Sequence, residues 1–457
     1  MLHTFELDGE YLALDVNSGA LHVLTKLAYE ICGKLEAPLG ETAPAELFEL
    51  GYPKDEVELA YGELYSLYKQ NLLFSPDFVV TLPENHTMPL KALCLHAAHD
   101  CNMRCGYCFA DTGDYCGSRE LMTPEVGMKA IDFLIERSGH IKNLEVDFFG
   151  GEPLMALDTV KAVTEYGKKR AAEVGKSINF TLTTNGALLD DETIEYLDRE
   201  MYNLVLSVDG RKSVNDSMRK FPGGGSTYEK IIPAFRKIAK MREENGTSYY
   251  VRGTFTARNL DFSEDVFHLA DLGFGEISVE PVALDETHPL ALKEEMLPKI
   301  GKEYEKLAIG LVERIKNGEH LNFFHFIVDL EAGPCVYKRV KGCGAGCEYI
   351  AVTPSGDLYP CHQFAGMEDY KLGDIYNGFG DKAASLRRRF EKSNIYTKPE
   401  CGKCFAKFFC GGGCAAAGVK YAGGEIENNY KIGCELERKR LECALYFQAM
   451  TSSLSDY

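Results

Sequence analysis

The run Cys101-Asn-Met-Arg-Cys105-Gly-Tyr-Cys108 sets three thiols within eight residues, and how it is read decides how the rest of the chain is understood. A four-iron cluster ordinarily takes four Cys thiolates. Three in so tight a group leave one iron without a protein ligand, so a small molecule is expected to complete the coordination. The run follows an expected strand at Ala92 to His99, which puts the cysteines on the loop leaving that strand. A zinc-binding or redox-inert group stays open as the plainer reading, although zinc sites usually recruit four ligands in CxxC pairs.

The surrounding composition narrows the classes. A chain of 457 residues, 45% hydrophobic, is long enough for about three domains. The net charge of -19 argues against a nucleic-acid partner, which needs clustered Lys and Arg. No apolar run reaches the about 18 residues of a membrane span, and Met1-Leu-His-Thr-Phe-Glu-Leu-Asp-Gly has neither a basic leader nor an apolar signal region. No membrane partner and a cytoplasmic location are expected. Sixteen Cys in such a chain point to metal binding rather than disulfides.

Working outward from the Cys run, short apolar stretches alternate with amphipathic ones between Leu90 and about residue 285. Six strands are expected, near residues 92-96, 144-149, 178-182, 204-208, 249-255 and 276-280. Helices are expected near 124-138, 157-173, 190-200, 228-243 and 262-272. This is the pattern of a parallel α/β sheet with covering helices, its polar and Gly-rich clusters at the strands' C-terminal ends, where α/β barrels place their chemistry. Residues 1-80 read as a small winged-helix-like unit. It has a hairpin turning at Asp8-Gly9 and helical stretches at 19-34, 44-50 and 54-72. Leu82-Pro-Glu-Asn-His-Thr-Met-Pro89 reads as a linker. Residues 286-340 form a helical bridging region with helices near 290-316 and 321-331, and residues 341-457 are dense in Cys and Gly.

The CxxxCxxC spacing with Tyr107 before the last Cys resembles the signature of the radical SAM superfamily. That resemblance implies a partial (β/α)6 TIM-like barrel over residues 90-285. It also implies a [4Fe-4S] cluster on Cys101, Cys105 and Cys108, with S-adenosylmethionine at the open iron. Gly150-Gly151-Glu152-Pro153 after the second strand matches the segment that contacts the SAM amino group, its glycines allowing close backbone approach. By the same resemblance Tyr107, Asn185, Ser207 and Asp209 belong to the SAM pocket, and Arg219 or Arg252 pairs with the SAM carboxylate. Asp209-Gly210 read as a plain turn and either Arg read as a barrel ion pair stay open. No side-chain acid, base or nucleophile is assigned a catalytic role, because radical chemistry asks the protein for positioning and exclusion.

A second Cys set, Cys361, Cys401-x2-Cys404-x5-Cys410-x3-Cys414 and Cys434, resembles the SPASM extension of radical SAM enzymes. Carried over, Cys401, Cys404, Cys410 and Cys434 bind a distal auxiliary cluster, and Cys347, Cys361 and Cys414 bind a nearer one, for three [4Fe-4S] clusters in all. Cys343, Cys335 or a substrate thiol completes the nearer cluster. The Cys343-Gly-Ala-Gly-Cys347 spacing is shorter than related enzymes often show. A zinc ribbon over Cys401 to Cys414 is the alternative. Cys32, Cys94 and Cys443 read as buried apolar residues, whereas Cys116 could face the active site.

The N-terminal unit resembles the recognition domain of enzymes that modify ribosomally made peptides, where a leader adds a strand to a sheet edge. With the Gly342 to Phe364 segment, the whole most resembles thioether-forming maturases of short SCIFF peptides (six cysteines in forty-five residues), the chemistry of sactipeptides and ranthipeptides. The implied partners are a Cys-rich precursor peptide and a low-potential electron donor. The alternatives are a formylglycine-forming sulfatase maturase and a non-enzymatic metal-binding scaffold.

Overall fold

The computed structural model describes residues 1-79, 88-115, 117-328, 330 and 339-452. Cys116, Cys335 and most of the expected linker lie outside the described residues. Six parallel strands, Ala92–His99, Asn143–Gly150, Ser177–Thr184, Asn203–Ser207, Ser248–Phe255 and Glu276–Pro281, stand side by side in chain order. They make an open, partial (β/α)6 barrel. Helices Pro124–Arg137, Leu157–Glu173, Asp191–Glu200, Thr227–Asn245 and Phe262–Asp271 return the chain. Their starts are written in the sequence. Thr123 accepts from the Val126 amide ahead of a first-turn Pro124, and Ser226 accepts from the Glu229 amide, both standard N-cap arrangements.

Alternation within the strands decides what the barrel encloses. Leu144, Val146 and Phe148, then Ile178, Phe180 and Leu182, are buried, and a Cβ on Gly167 of the Leu157–Glu173 helix would meet Phe180 and Ile178. Those rows therefore face the helices. The opposite rows, Glu145-Asp147-Phe149, Asn179-Thr181-Thr183 and Tyr250-Arg252-Thr254, are partly exposed and mostly polar. A closed TIM barrel fills its interior with branched apolar layers; here the lumen is left polar and open.

Two expected helices give way to strands. Leu21–Leu24 pairs antiparallel with Tyr11 to Leu14, so the first helix is only Lys26–Cys32, capped by Thr25. Asn322–Phe323 pairs in parallel with Glu276 and Ile277, and a 3-10 turn, Phe324–Phe326, follows. Cross-strand pairing overrode local helical pattern at both places. The Asp8-Gly9 hairpin turn is present, with φ of 53° and 79°, values a two-residue hairpin needs. The remaining N-terminal elements are a 3-10 turn at Ala45–Leu50 and a helix at Lys54–Lys69.

The units share core packing and a sheet. One face of the N-terminal sheet, Phe5, Leu7, Leu12 and Leu14, enters the main core together with Leu441 and Leu445 of the C-terminal helix Lys431–Thr451. Leu27, Ile31, Leu47, Val57, Tyr61 and Leu64 form a separate core beneath the N-terminal helices. Tyr349–Val352 pairs in parallel with Ala92 to Leu95, so the Cys-rich region continues the barrel sheet. Among the described residues no helix is long and apolar enough to cross a membrane.

Arg242, fully buried, binds the carbonyls of Ser248, Met201 and Tyr202 at 2.7, 3.0 and 2.8 Å. It thereby ties its own helix to the starts of two strands. Arg242→Met leaves these buried carbonyls without their donor and should destabilise the fold by about 3 kcal/mol, read as a lower midpoint of urea denaturation.

Candidate functional site

The Cys loop is seated by backbone contacts. A Cβ on Gly150 would lie 2.3 Å from the Ala98 carbonyl, and one on Gly151 would lie 2.0 Å from that of Asp100. The same approach makes two hydrogen bonds, Gly151 N to Ala98 O at 2.7 Å and Glu152 N to Asp100 O at 2.9 Å. The closeness these glycines permit is thus to the chain's own first barrel strand, just before Cys101. Beyond it Cys105 pairs across a short antiparallel ladder with Arg219. Asp111, Thr112 and Tyr115 hold positive φ, a concentration of left-handed non-glycine residues typical of functional loops.

Cys101, Cys105, Cys108, Tyr107, Gly150, Gly151, Glu152, Asn185, Ser207 and Arg219 line one cavity of about 140 Å³. Within its walls Glu152, 1% exposed, accepts from Asn185 N, Thr184 Oγ1 and Leu154 N at 2.7, 2.7 and 3.1 Å. Asn185 Nδ2 donates to Asn102 Oδ1 at 2.8 Å and approaches Cys101 Sγ at 3.6 Å. Tyr107 donates to both Asp209 oxygens at 2.7 and 2.8 Å and accepts from Arg219 Nη1 at 2.8 Å. Asp209 therefore stands behind the wall, holding Tyr107 and Arg219, while Arg219 Nε is buried without a partner. Arg252 is not on this wall; it pairs with Glu280 of the neighbouring strand.

Six of the remaining candidates, Cys343, Cys401, Cys404, Cys410, Cys414 and Cys434, line a second cavity of about 540 Å³. Burial pushes Cys410 up to about 12, with Glu437, Cys434 and Cys401 adding to it. It also pushes Cys361 up to about 12, and there Cys343 and Cys414 add to it. The structure thus sets Cys434 and Cys401 beside Cys410, and Cys343 and Cys414 beside Cys361. Cys347 is the exception. It lies on the wall of another cavity, and its leading charged neighbours are Lys341, Glu391 and Arg387, with Cys343 behind them.

Several polar groups near the lumen carry no sequence motif. His96 Nδ1 meets His99 Nε2 at 2.9 Å while His96 Nε2 is buried without a partner. Burial lowers both imidazoles, His99 to about 4. His362 packs against Phe109 and Phe149 with ring centroids 5.4 and 5.0 Å away, and burial lowers it to about 4. Asp147 is raised to about 6, mainly by burial and next by Glu145. The signal for Asp147 was its place on the lumen side of an alternating strand. His96 lay in a strand that is buried on both faces and gave none.

The donor chemistry fits iron-sulfur ligation. Burial raises Cys101 to about 11 and Cys105 to about 12, so these thiols are protonated at neutral pH until a metal displaces the proton. Lys398, Lys341 and Lys407 are 4-5% exposed around the second cavity, and buried ammonium groups call for anionic neighbours. Among the described residues no three Cys, His, Asp or Glu side chains converge on a single metal ion; Cys101, Cys105 and Cys108 share the lining of one cavity, and six of the C-terminal thiols that of another.

Residues 97-258 match the Radical SAM superfamily, a stretch that holds the Cys loop and runs through the fifth barrel strand. The chain is 26% identical over 356 residues to a cysteine-type anaerobic sulfatase-maturating enzyme of Clostridium perfringens, covering 75% of this chain and 93% of that one. Among solved structures, anSMEcpe with bound AdoMet and a Kp18Cys peptide superposes with a TM-score of 0.64 at 20% identity, over 81% of this chain and 100% of that one. Streptococcus suis SuiB bound to its precursor peptide SuiA superposes with a TM-score of 0.53 at 16% identity, over 93% and 96%.

The raised carboxyl of Asp147 has a measurable consequence. Its folded-state pKa of about 6 lies above the ordinary 3.8, so the folded state holds a proton that the unfolded state has already released. This contribution is full below about 3.8 and is lost as pH rises through 6. Relative to Asp147→Asn, the wild type should lose about 1 kcal/mol between pH 5 and 7.5, measured as a widening gap between the two denaturation midpoints.

Proposed function

We propose that the chain is a maturase that joins a cysteine sulfur of a ribosomally made, Cys-rich precursor peptide to a carbon of the same peptide, forming a thioether. One observation carries this reading: the two Cys groups meet at Phe149. Phe109, beside Cys108, and His362, beside Cys361, both pack on that ring, with centroids 6.4 and 5.0 Å away. Cys108, Cys347 and Cys361 belong to one apolar cluster. A peptide lying in the polar lumen against Phe149 would touch both centres.

When bound, S-adenosylmethionine with a [4Fe-4S] cluster on Cys101, Cys105 and Cys108 would supply a 5'-deoxyadenosyl radical, and two auxiliary clusters would take up the electron left by bond formation. The protein's own part is placement. Arg219 Nε, buried and unpartnered, is suited to a carboxylate of the cosubstrate. Asn185 and Glu152 hold the strand ends around it, and Gly150, Gly151 and Ser207 complete the wall. Cys401, Cys404, Cys410 and Cys434 would hold the distal cluster; Cys343, Cys361 and Cys414 would hold the nearer one, with Cys347 or a substrate thiol as fourth ligand. Each bridge removes one S–H and one C–H, the hydrogen passing to the nucleoside and a proton and an electron leaving separately. A low-potential donor must reduce the first cluster.

Leader recognition is assigned to the N-terminal sheet. Among the described residues Leu21–Leu24 pairs only with the central strand, leaving its outer edge for an added strand, and Val23 is 53% exposed there. A second reading, formylglycine formation in a sulfatase, is favoured by the likeness to the Clostridium perfringens enzyme, but it gives the N-terminal sheet no task.

The test is anaerobic incubation of the iron-loaded chain with SAM, reductant and either a Cys-rich peptide encoded beside its gene or a sulfatase-derived Cys peptide, followed by mass spectrometry. The expected outcome is a Cys-rich peptide two hydrogens lighter per bridge, with matching 5'-deoxyadenosine. Formylglycine in the sulfatase peptide instead selects the second reading. Val23→Asp should weaken leader binding about tenfold, ~1.4 kcal/mol, and leave SAM cleavage intact.

A further inference from the structure

Lys398 is 4% exposed, and among the described residues its ammonium has one hydrogen-bond acceptor, the Asn428 carbonyl at 3.5 Å, for three donor positions. Its surroundings differ from those of the other buried lysines. Lys341 donates to the carbonyls of Phe390 and Ser393, and Lys407 stands 3.6 Å from Asp77 and over the Phe408 ring. The leading charged neighbours of Lys398 are Cys401, Cys410, Cys414 and Cys434, which offset the effect of its burial. Glu427 also feels its charge but is bound to Arg389. The four thiols come from both groups, since Cys401, Cys410 and Cys434 belong with the distal set and Cys414 with the nearer one. Cys343 shares with Lys398 the walls of both the 540 Å³ cavity and a small one of about 20 Å³.

We propose that Lys398 is the shared counter-cation of the two auxiliary sites, a positioning residue that holds the reduction potentials of both above the values they would have without it. The inference rests on the reading of these cysteines as iron-sulfur ligands. Reduction adds an electron to an already anionic, thiolate-bound cluster, and a fixed positive charge in a low-dielectric setting favours that form. Because it shares cavity walls with thiols of both sets, one ammonium acts on both at once. It would favour transfer of the electron released by sulfur-carbon bond formation from the barrel into the Cys-rich region.

The experiment uses the full chain, reconstituted anaerobically, in wild-type, Lys398→Met and Lys398→Arg forms. Iron and sulfide are counted, and equilibrium redox titrations are followed by electron paramagnetic resonance. Lys398→Met should shift both auxiliary midpoints to more negative potential while the SAM-site midpoint stays in place, and Lys398→Arg should restore them. Unchanged auxiliary midpoints in a fully loaded Lys398→Met chain overturn the role of Lys398 alone. If Lys398→Met loses iron, the charge argument requires Lys398→Arg to regain it, and equal loss in both variants refutes the proposal. Zinc in place of iron in the wild type removes the underlying reading, and this inference with it.

Discussion

The backbone of Gly150 and Gly151 lies against Ala98 to Asp100 more closely than any side chain would allow, and the rest of the site is hung from that contact. It fixes the end of the second barrel strand against the residue that precedes Cys101. From there Glu152 is aimed at the amide of Asn185 and the hydroxyl of Thr184, which sets the end of the third strand. Asn185 in turn reaches Asn102 inside the Cys loop. Three chain segments far apart in sequence are closed into a ring by a few hydrogen bonds, each dependent on the glycine approach. A buried carboxylate whose acceptor sites are taken up by the protein is a brace, and its burial cost is offset by those donors.

Charge is distributed with the same economy of position. The chain is strongly acidic overall, yet among the described residues its buried Lys and Arg side chains, Arg242 excepted, lie where the thiols are. Arg219 lies behind Cys105, and Lys341, Lys398 and Lys407 lie around the C-terminal set. Such cations are unfavourable in a dry interior unless anions face them. The lumen side follows another logic: burial keeps His96 and His362 neutral, Arg252 is paired with Glu280, and the Asp147 carboxyl is raised to about 6.

Much of the fold was legible because period-2 alternation is local. All six barrel strands and their five return helices stand where apolar spacing put them, since Leu144, Val146 and Phe148 had to share one face. The failures were non-local. Leu21–Leu24 and Asn322–Phe323 became strands because partners were waiting at Tyr11 to Leu14 and at Glu276 to Ile277, and nothing within either segment announces a neighbour. The cavity wall around the first three cysteines was legible from motif and strand order together. The buried lysines were not, because a lysine in a loop such as Thr397-Lys398-Pro399 reads as solvated until the fold closes over it.

The N-terminal sheet bears on how the parts work together. Its two faces serve different cores: Phe5, Leu7, Leu12 and Leu14 enter the main core with the C-terminal helix, while Leu2 and Leu24 pack against the core beneath the N-terminal helices. His3 also binds Glu442 at 3.0 Å, and Tyr446 binds Asp8 at 3.0 Å. Lys431–Thr451 thus touches the sheet on one side, and at its start it carries Cys434 on the wall of the second cavity. A peptide added to the edge at Leu21–Leu24 would be held by a sheet braced on the helix that carries Cys434. Cutting the chain after residue 80 would strip apolar side chains from that helix as well as remove the edge, so loss of function in such a truncation would not distinguish recognition from stability. A single change at the exposed Val23 separates the two, because that side chain belongs to neither core.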